Sequence, residues 1–335
     1  MTTGLAGRPQ LYPGAIATAE TPPPPAPAPS LLRTSGLSHT YPDGTVALRE
    51  LSIDVPHGAV GLVGANGAGK TTLFRLLLGQ MFPTAGDLEV VGRRVAEDPV
   101  EIRRRLGYMP EHDCLPDDQS AADVVASLGE LSGLPSQAAR QRASDVLDLV
   151  GLDEARFRPV GGFSTGMRQR VKVAQAIVAD PELVLLDEPT AGLDPVGREE
   201  MLDLVARLAG FGISVLFATH LLDDVQRVCD QVVMIDAGRL VVAGPIEDLV
   251  QRTGVIRVEV GGREDAVEVL RAALAAQGLA PVPVDAHLLD LDAGDRGEEV
   301  FDLVRDAVAD LGLRLYALSS RHHSLDELFV QEASR

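Results

Sequence analysis

The chain has 335 residues, with 30 Lys plus Arg against 49 Asp plus Glu and a formal net charge of −19. At ~100–200 residues per domain this length points to two or three domains, the 45% hydrophobic content excludes global disorder, and the acidity disfavours a surface built to neutralise nucleic-acid phosphates. Two cysteines without metal-ligand spacing, Cys114 and Cys229, argue against a disulfide scaffold or structural zinc and for a reducing, cytosolic setting; no apolar run approaches the ~20 residues of a membrane helix.

In chain order, residues 1–34 contain a proline-crowded tract from Thr21 to Pro29. They read as a leader that packs no core and lacks a signal-peptide pattern. From about Ser35 the texture becomes strand-like, with an alternating stretch from Leu48 to Val55. Ala59–Val63 is a short apolar strand that ends in glycines, and Thr72–Leu78 a helix. Strand, glycine loop and helix open an α/β unit. Val124, Leu128 and Leu131, then Ala143, Val146 and Val150, mark two amphipathic helices split by Gly133-Leu134-Pro135. They form a helical insertion over about 111–162. Leu183–Leu186 and Ser214–Ala218 are buried parallel strands joined by a crossover helix over Gly197–Leu208. Gln231–Ile235 and Leu240–Val242 flank Ala237-Gly238 as a hairpin. After about Leu249 the pattern restarts as βαββαβ, the order of a ferredoxin-like module over 251–335. Near its end, Ser324 and Glu327 have capping-box spacing, and His322-His323 has no metal spacing.

The chemistry concentrates in a few places. Gly64-Ala65-Asn66-Gly67-Ala68-Gly69-Lys70-Thr71 fits G-x-x-x-x-G-K-[ST] in full. The glycines let the backbone curl around phosphate oxygens, the helix offers its positive end, Lys70 reaches the β- and γ-phosphates, and Thr71 can bind Mg²⁺. Of the basic residues only Lys70 and Lys172 are lysine, so one of the two compact ammonium groups falls on this loop. Lys172 is placed on the exposed or phosphate-distal part of its helix, without a catalytic role. Asp187 and Glu188 end the apolar strand. Asp187 suits the metal and its hydration shell, and Glu188 the attacking water.

These residues, followed by Pro189-Thr190-Ala191-Gly192-Leu193-Asp194, preceded by Phe163-Ser164-Thr165-Gly166-Met167 and joined downstream by Ala218-Thr219-His220, closely resemble the ATP-binding cassette of ABC transporters over about 35–250. The resemblance implies a P-loop α/β fold with a mixed sheet and a helical subdomain. It implies that Gly64–Thr72 bind ATP, that Tyr41 stacks on adenine, and that Lys70, Glu188 and His220 act in hydrolysis. Thr71, Asp187 and Glu111 fall to Mg²⁺. Phe163–Met167 become the signature that meets a partner's ATP, with Asp194 in the D-loop. The signature reads Phe-Ser-Thr-Gly-Met rather than Leu-Ser-Gly-Gly-Gln. Glu111 stands where the family has a glutamine. Both departures resemble the drug-resistance exporter branch of the daunorubicin type.

One phosphate loop and one signature per chain then imply a dimer of cassettes, most simply a homodimer. A separate membrane permease would carry the substrate, a hydrophobic small molecule, with the cassette on the cytoplasmic face. A soluble ABC ATPase acting on nucleic acid or ribosomes is the rival reading, which the acidity and the single cassette disfavour. A nucleotide-binding module without turnover is a third, against which Glu188 and His220 argue.

Overall fold

The computed structural model describes residues 30–249, 252–292 and 299–322. Three sheets organise them. The first is antiparallel: β1 (Leu32–Thr40), β2 (Val46–Leu51), β3 (Asp54–Val55), β5 (Ala85–Val90) and β6 (Arg93–Arg94), in the order β2-β1-β5-β6 with β3 beside β1. The second carries the site. It contains β4 (Ala59–Val63), β7 (Leu106–Met109), β8 (Leu183–Asp187), β9 (Ser214–Thr219), β10 (Gln231–Asp236) and β11 (Arg239–Pro245). Its order is β11-β10-β4-β9-β8-β7, parallel except for the β10–β11 hairpin.

β4, β8 and β9 are buried at every residue, which is why they read as unbroken apolar runs rather than as alternation. Successive side chains still face opposite ways. Val184, Leu186 and Phe217 join one core, while Leu183, Leu185 and Leu216 join the other. The first core packs α3 (Ala121–Leu131), α4 (Ser136–Leu149), α5 (Thr165–Ile177), α6 (Pro195–Gly210) and α7 (Leu222–Val228); the second packs α1 (Lys70–Leu77), α2 (Pro99–Arg105) and the antiparallel sheet. Removing Phe217, fully buried between the strands, would cost about 3–5 kcal/mol.

Capping side chains set the helix starts. Ser120 accepts from the Asp123 amide at α3, Ser164 from Met167 at α5, and Asp194 from Gly197 at α6, where Pro195 takes the first turn.

The strand registers decide where the chemistry lies. Val63 pairs with Thr219, and Asp187 with Ala218. The loop after β4, the residue after β8 and the residue after β9 therefore leave the sheet side by side at its carboxyl edge, where α/β proteins bind ligands.

Several expectations are corrected. Strand β1 begins at Leu32, and Leu31 and Leu32 are fully buried, so residues 32–34 belong to the first strand rather than to the leader. Leu131, one of the positions at helical spacing in α3, is 83% exposed at the last residue of the helix. Between Leu78 and Tyr108 lie β5, β6, α2 and β7, none of which the sequence pattern separates.

Beyond α8 (Ile246–Leu249), the chain forms β12 (Arg252–Gly261), α9 (Ala266–Ala276), β13 (Pro281–Pro283), β14 (Leu288–Asp292), α10 (Glu299–Asp310) and β15 (Arg314–His322). The sheet order is β13-β14-β12-β15 with every neighbouring pair antiparallel. It has its own core around Ile256, Val258, Leu270, Leu289 and Val304. The Ser324–Glu327 capping box and the proline tract lie outside the described residues.

Candidate active site

The loop after β4 is shaped by what its glycines allow. A Cβ on Gly64 would meet the Ile235 carbonyl at 2.4 Å. Gly69 has φ +110°, and a Cβ there would meet the Ala47 carbonyl at 2.8 Å. Only glycine tolerates that backbone so close to another chain segment. The turn places Lys70 at the first position of α1, where it is buried and its Nζ donates to the Gly64 carbonyl at 2.6 Å.

Glu188 comes directly after β8 and is left-handed, with φ +48°, a conformation that costs a non-glycine residue about 1–3 kcal/mol. Its amide donates to the Ala218 carbonyl at 2.9 Å, which holds it there. The twist separates its side chain from that of Asp187. Glu188 Oε1 lies 3.4 Å from Lys70 Nζ, and Oε2 accepts from His220 Nδ1 at 3.0 Å. The His220 ring is half exposed, while Glu188 is buried.

Asp187 is 2% exposed. Burial pushes its carboxyl above the ordinary range, and Glu111 and Glu188 push the same way; the Thr71 hydroxyl and Lys70 oppose them. Thr71 Oγ1 donates to Asp187 Oδ2 at a long 3.4 Å. Asp187 Oδ1 and Glu188 Oε1 are buried without a hydrogen-bond partner. Buried oxygens of this kind call for a missing partner.

Lys70, Thr71, Asp187 and Glu188 line a cleft of about 450 Å³, together with Tyr41, Thr45–Ala47, Ala65, Asn66, Gly67, Gly69, Thr72 and Glu111, and His220 joins it only through its hydrogen bond to Glu188. Tyr41 Oη shares a hydrogen bond with Thr72 Oγ1 at 3.0 Å, and its ring meets His39 edge-on. Gly64 and Ala68 stand behind the cleft. The Ala68 side chain is in the core, and Gly64 contributes its carbonyl to Lys70. Hydroxyl and carboxylate oxygens around an unpartnered buried oxygen are hard donors that suit a divalent cation such as Mg²⁺, shared with phosphate oxygens. Among the described residues no three His, Cys, Asp or Glu side chains form a cage of their own.

Ser164–Met167 do not reach this cleft. They line a second one of about 530 Å³ with Gly192, Leu193, Asp194, Val196 and Met201, edged by the Arg170–Glu200 ion pair. Phe163 does not line it. Phe163 is buried in the core under the Arg158 guanidinium. Asp194 caps α6 and lines the second cleft at once.

Two side chains near the first cleft escape the sequence reading. Lys172 is not exposed: it is 3% accessible, and its Nζ donates to the Glu111 carbonyl at 2.9 Å. Burial pulls its ammonium down, against Cys114, Asp113, Glu111 and Asp187. The apolar run on both sides of it, Val171 and Val173–Val178 broken only by Gln175, was the available signal of a buried helix. The Tyr108 phenol is pushed up to about 12 by burial and then by the charge of Asp187.

A family model described as "ABC transporter" matches residues 48–191. The daunorubicin resistance ATP-binding protein DrrA3 of Streptomyces coeruleorubidus is 36% identical over 287 residues, covering 85% of this chain and 90% of that protein. This chain belongs to the ABC transporter ATP-binding proteins. Among solved structures, an ATP-binding subunit of an ABC transporter is 29% identical with a TM-score of 0.59, covering 66% of this chain and 92% of that one. A dimeric cassette in a post-hydrolysis state with ADP and Pi shares the fold at 21% identity and a TM-score of 0.59, covering 64% of this chain and 99% of that one. The cassette of this ABC protein binds and hydrolyses ATP. Among the described residues no helix is long and apolar enough to cross a membrane.

Proposed function

We propose that this cassette powers export of a hydrophobic small molecule, of the drug or antibiotic kind, through a separate membrane permease on whose cytoplasmic face it sits. The observation that carries the reading is the separation of the two clefts. One chain presents Lys70, Asp187 and Glu188 in one place and Ser164–Met167 in another. A second copy turned head to tail brings each signature to the other's nucleotide cleft, so a homodimer with two composite sites is the simplest assembly. The similar dimeric cassette with ADP and Pi accords with this, and the daunorubicin-resistance relative supports the export of a drug-like molecule.

In each composite site the loop Gly64–Thr72 and Lys70 hold the triphosphate, and Tyr41 stacks on adenine. Thr71, Asp187 and Glu111 are the Mg²⁺ side. The ion, when bound, neutralises charge on the β- and γ-phosphates. Glu188 takes a proton from the attacking water while the water oxygen bonds to the γ-phosphorus and the bond to ADP breaks. His220, bound to Glu188 through Nδ1, keeps Nε2 free for the γ-phosphate. Ser164 and the start of α5 present a positive helix end from the partner.

Beyond the cassette, the βαββαβ order and the strand sequence β13-β14-β12-β15 support a ferredoxin-like accessory domain.

The decisive experiment recovers the tagged full chain from solubilised membranes of its own cells and reconstitutes any multi-span membrane protein that comes with it. Stoichiometric co-purification, ATP-dependent drug accumulation in inverted vesicles and its loss in Glu188→Gln are expected. Co-purification with ribosomes or nucleic acid instead would overturn the export reading.

A further inference from the structure

The segment carrying Glu111 leaves β7 after Met109 and runs to α3. It lies along one face of α5, held by side chains at successive turns. Arg168 donates to Asp113 Oδ2 at 2.5 Å and to Asp117 Oδ1 at 2.8 Å. Lys172, four residues on, donates to the Glu111 carbonyl at 2.9 Å. Gln175 reaches Cys114 Sγ at 3.6 Å.

These attachments are not equivalent. The Asp113 and Asp117 side chains are 57% and 74% exposed, so water weakens the Arg168 pairs. Lys172 is almost wholly buried, and its target is the main chain of the one residue in this segment that lines the nucleotide cleft. Burying an ammonium is costly, and an apolar side chain of similar length would fill the space without that cost. Packing alone therefore does not account for lysine here. The chain otherwise uses arginine almost everywhere; a compact charge with three donors suits a single carbonyl better than a planar guanidinium does.

We propose that Lys172 is a positioning residue for ATP hydrolysis: by fixing the Glu111 main chain to α5, its ammonium holds the Glu111 carboxylate on the metal side of the cleft, opposite Asp187. The inference rests on Glu111 facing the metal and is independent of which molecule is exported. It also gives the Glu111 departure a physical counterpart, since the position bearing an extra negative charge is the one whose main chain a buried cation holds.

The test uses the full chain with Lys172→Met, Lys172→Gln, Glu111→Ala and the Lys172→Met/Glu111→Ala double variant. Melting temperature checks folding. kcat and KM for ATP are measured at limiting and saturating Mg²⁺. Mn²⁺ binding with ATP is read by electron paramagnetic resonance in the non-hydrolysing Glu188→Gln background, and amide hydrogen exchange is followed over 110–117.

Lys172→Met is expected to lower kcat and Mn²⁺ affinity by about 10-fold, the usual scale for losing a group that orients a metal ligand. KM for ATP changes less than about twofold, because Lys70 and its loop are untouched, and exchange over 110–117 accelerates. In the Glu111→Ala background the same substitution adds nothing. Lys172→Gln, which keeps a donor, falls between Lys172→Met and wild type, and it carries the cycle if Lys172→Met does not fold. A Lys172→Met protein that melts, binds Mn²⁺ and turns over like wild type overturns the proposal, as does a fully additive loss in the double variant. A Glu111→Ala protein identical to wild type would remove Glu111 from the metal site and the proposal with it, leaving the roles of Asp187 and Glu188 intact.

Discussion

The two clefts of this cassette are of similar size and opposite character. The nucleotide cleft gathers buried charge: Lys70, Asp187 and Glu188, with two carboxylate oxygens that accept no hydrogen bond. The signature cleft is lined by hydroxyls, glycines and apolar side chains, and its one ion pair, Arg170–Glu200, is partly exposed. The first is electrostatically unfinished and stores strain at Glu188; the second is satisfied within the chain. A site that needs a charged ligand carries unmet polar groups, whereas a surface that only completes another site need not. Asp224 ties the chain between them. It is 1% exposed, accepts from Thr190, two residues after Glu188, at 2.8 Å, and accepts from Arg198 on α6 at 2.6 Å, so hydrogen bonds link the loop after β8 to the helix that Asp194 starts.

The largest expected effect breaks the nucleotide cleft. Glu188→Gln keeps the side-chain shape and removes the proposed base, so hydrolysis should fall by about 10²–10⁴-fold. Nucleotide binding should persist and an ATP-dependent dimer should accumulate on size exclusion. Hydrolysis within tenfold of wild type would transfer the base role elsewhere.

Ser164→Ala probes the second cleft. It removes the cap on α5, worth about 1 kcal/mol of stability, and, in the proposed dimer, one hydrogen bond to the partner's phosphate, for a loss of about tenfold in turnover. Binding of nucleotide to dilute monomer should not change. A loss of monomer binding would mean that the two clefts are one site within a single chain.

What could be read from the sequence divides along the same line. The phosphate loop, Asp187, Glu188 and His220 were legible because their chemistry demands residue types in a fixed local spacing, and the buried strands on which they sit are apolar runs. The signature helix start was legible for the same reason. What was not legible depended on contacts distant in sequence. The burial of Lys172 is set by a segment some 60 residues away, and Asp224 looks like an ordinary first-turn acid until Thr190 and Arg198 close on it. Phe163 carries the motif position but is claimed by the core. The stretch with β5–β7 was opaque because β5 and β6 are largely exposed and β6 and β7 span only two and four residues, too few to show the alternation that marks a strand.

A smaller effect tests the rim of the nucleotide cleft. Tyr41→Ala should weaken ATP binding by about 1 kcal/mol, roughly fivefold, if the ring stacks on adenine. Tyr41→Phe keeps the ring and loses only the hydrogen bond to Thr72, so its affinity should stay within about twofold of wild type. Equal losses in both variants would assign Tyr41 to holding Thr72 rather than to the base, and fluorescence titration with an ATP analogue separates the outcomes.

The smallest effect reports the field of the nucleotide cleft through a side chain that does not line it. Tyr108 lies beside Asp187, and its phenol is pushed up to about 12, first by burial and then by that carboxylate. An unfolded tyrosine titrates near ~10. The folded protein therefore keeps this proton longer than the unfolded chain does. The resulting stability is fully present below about pH 10 and is lost as pH rises through about 12. The difference in 295 nm absorbance between wild type and Tyr108→Phe isolates this phenol from the other tyrosines, and its midpoint should lie near 12 rather than 10. Asp187→Asn should lower the midpoint without restoring the unfolded value, because burial is the larger cause. A midpoint that ignores Asp187 would mean that the carboxylate's charge is already screened from the interior, and the nucleotide cleft would then be less distinct from its signature counterpart than its buried carboxylates imply.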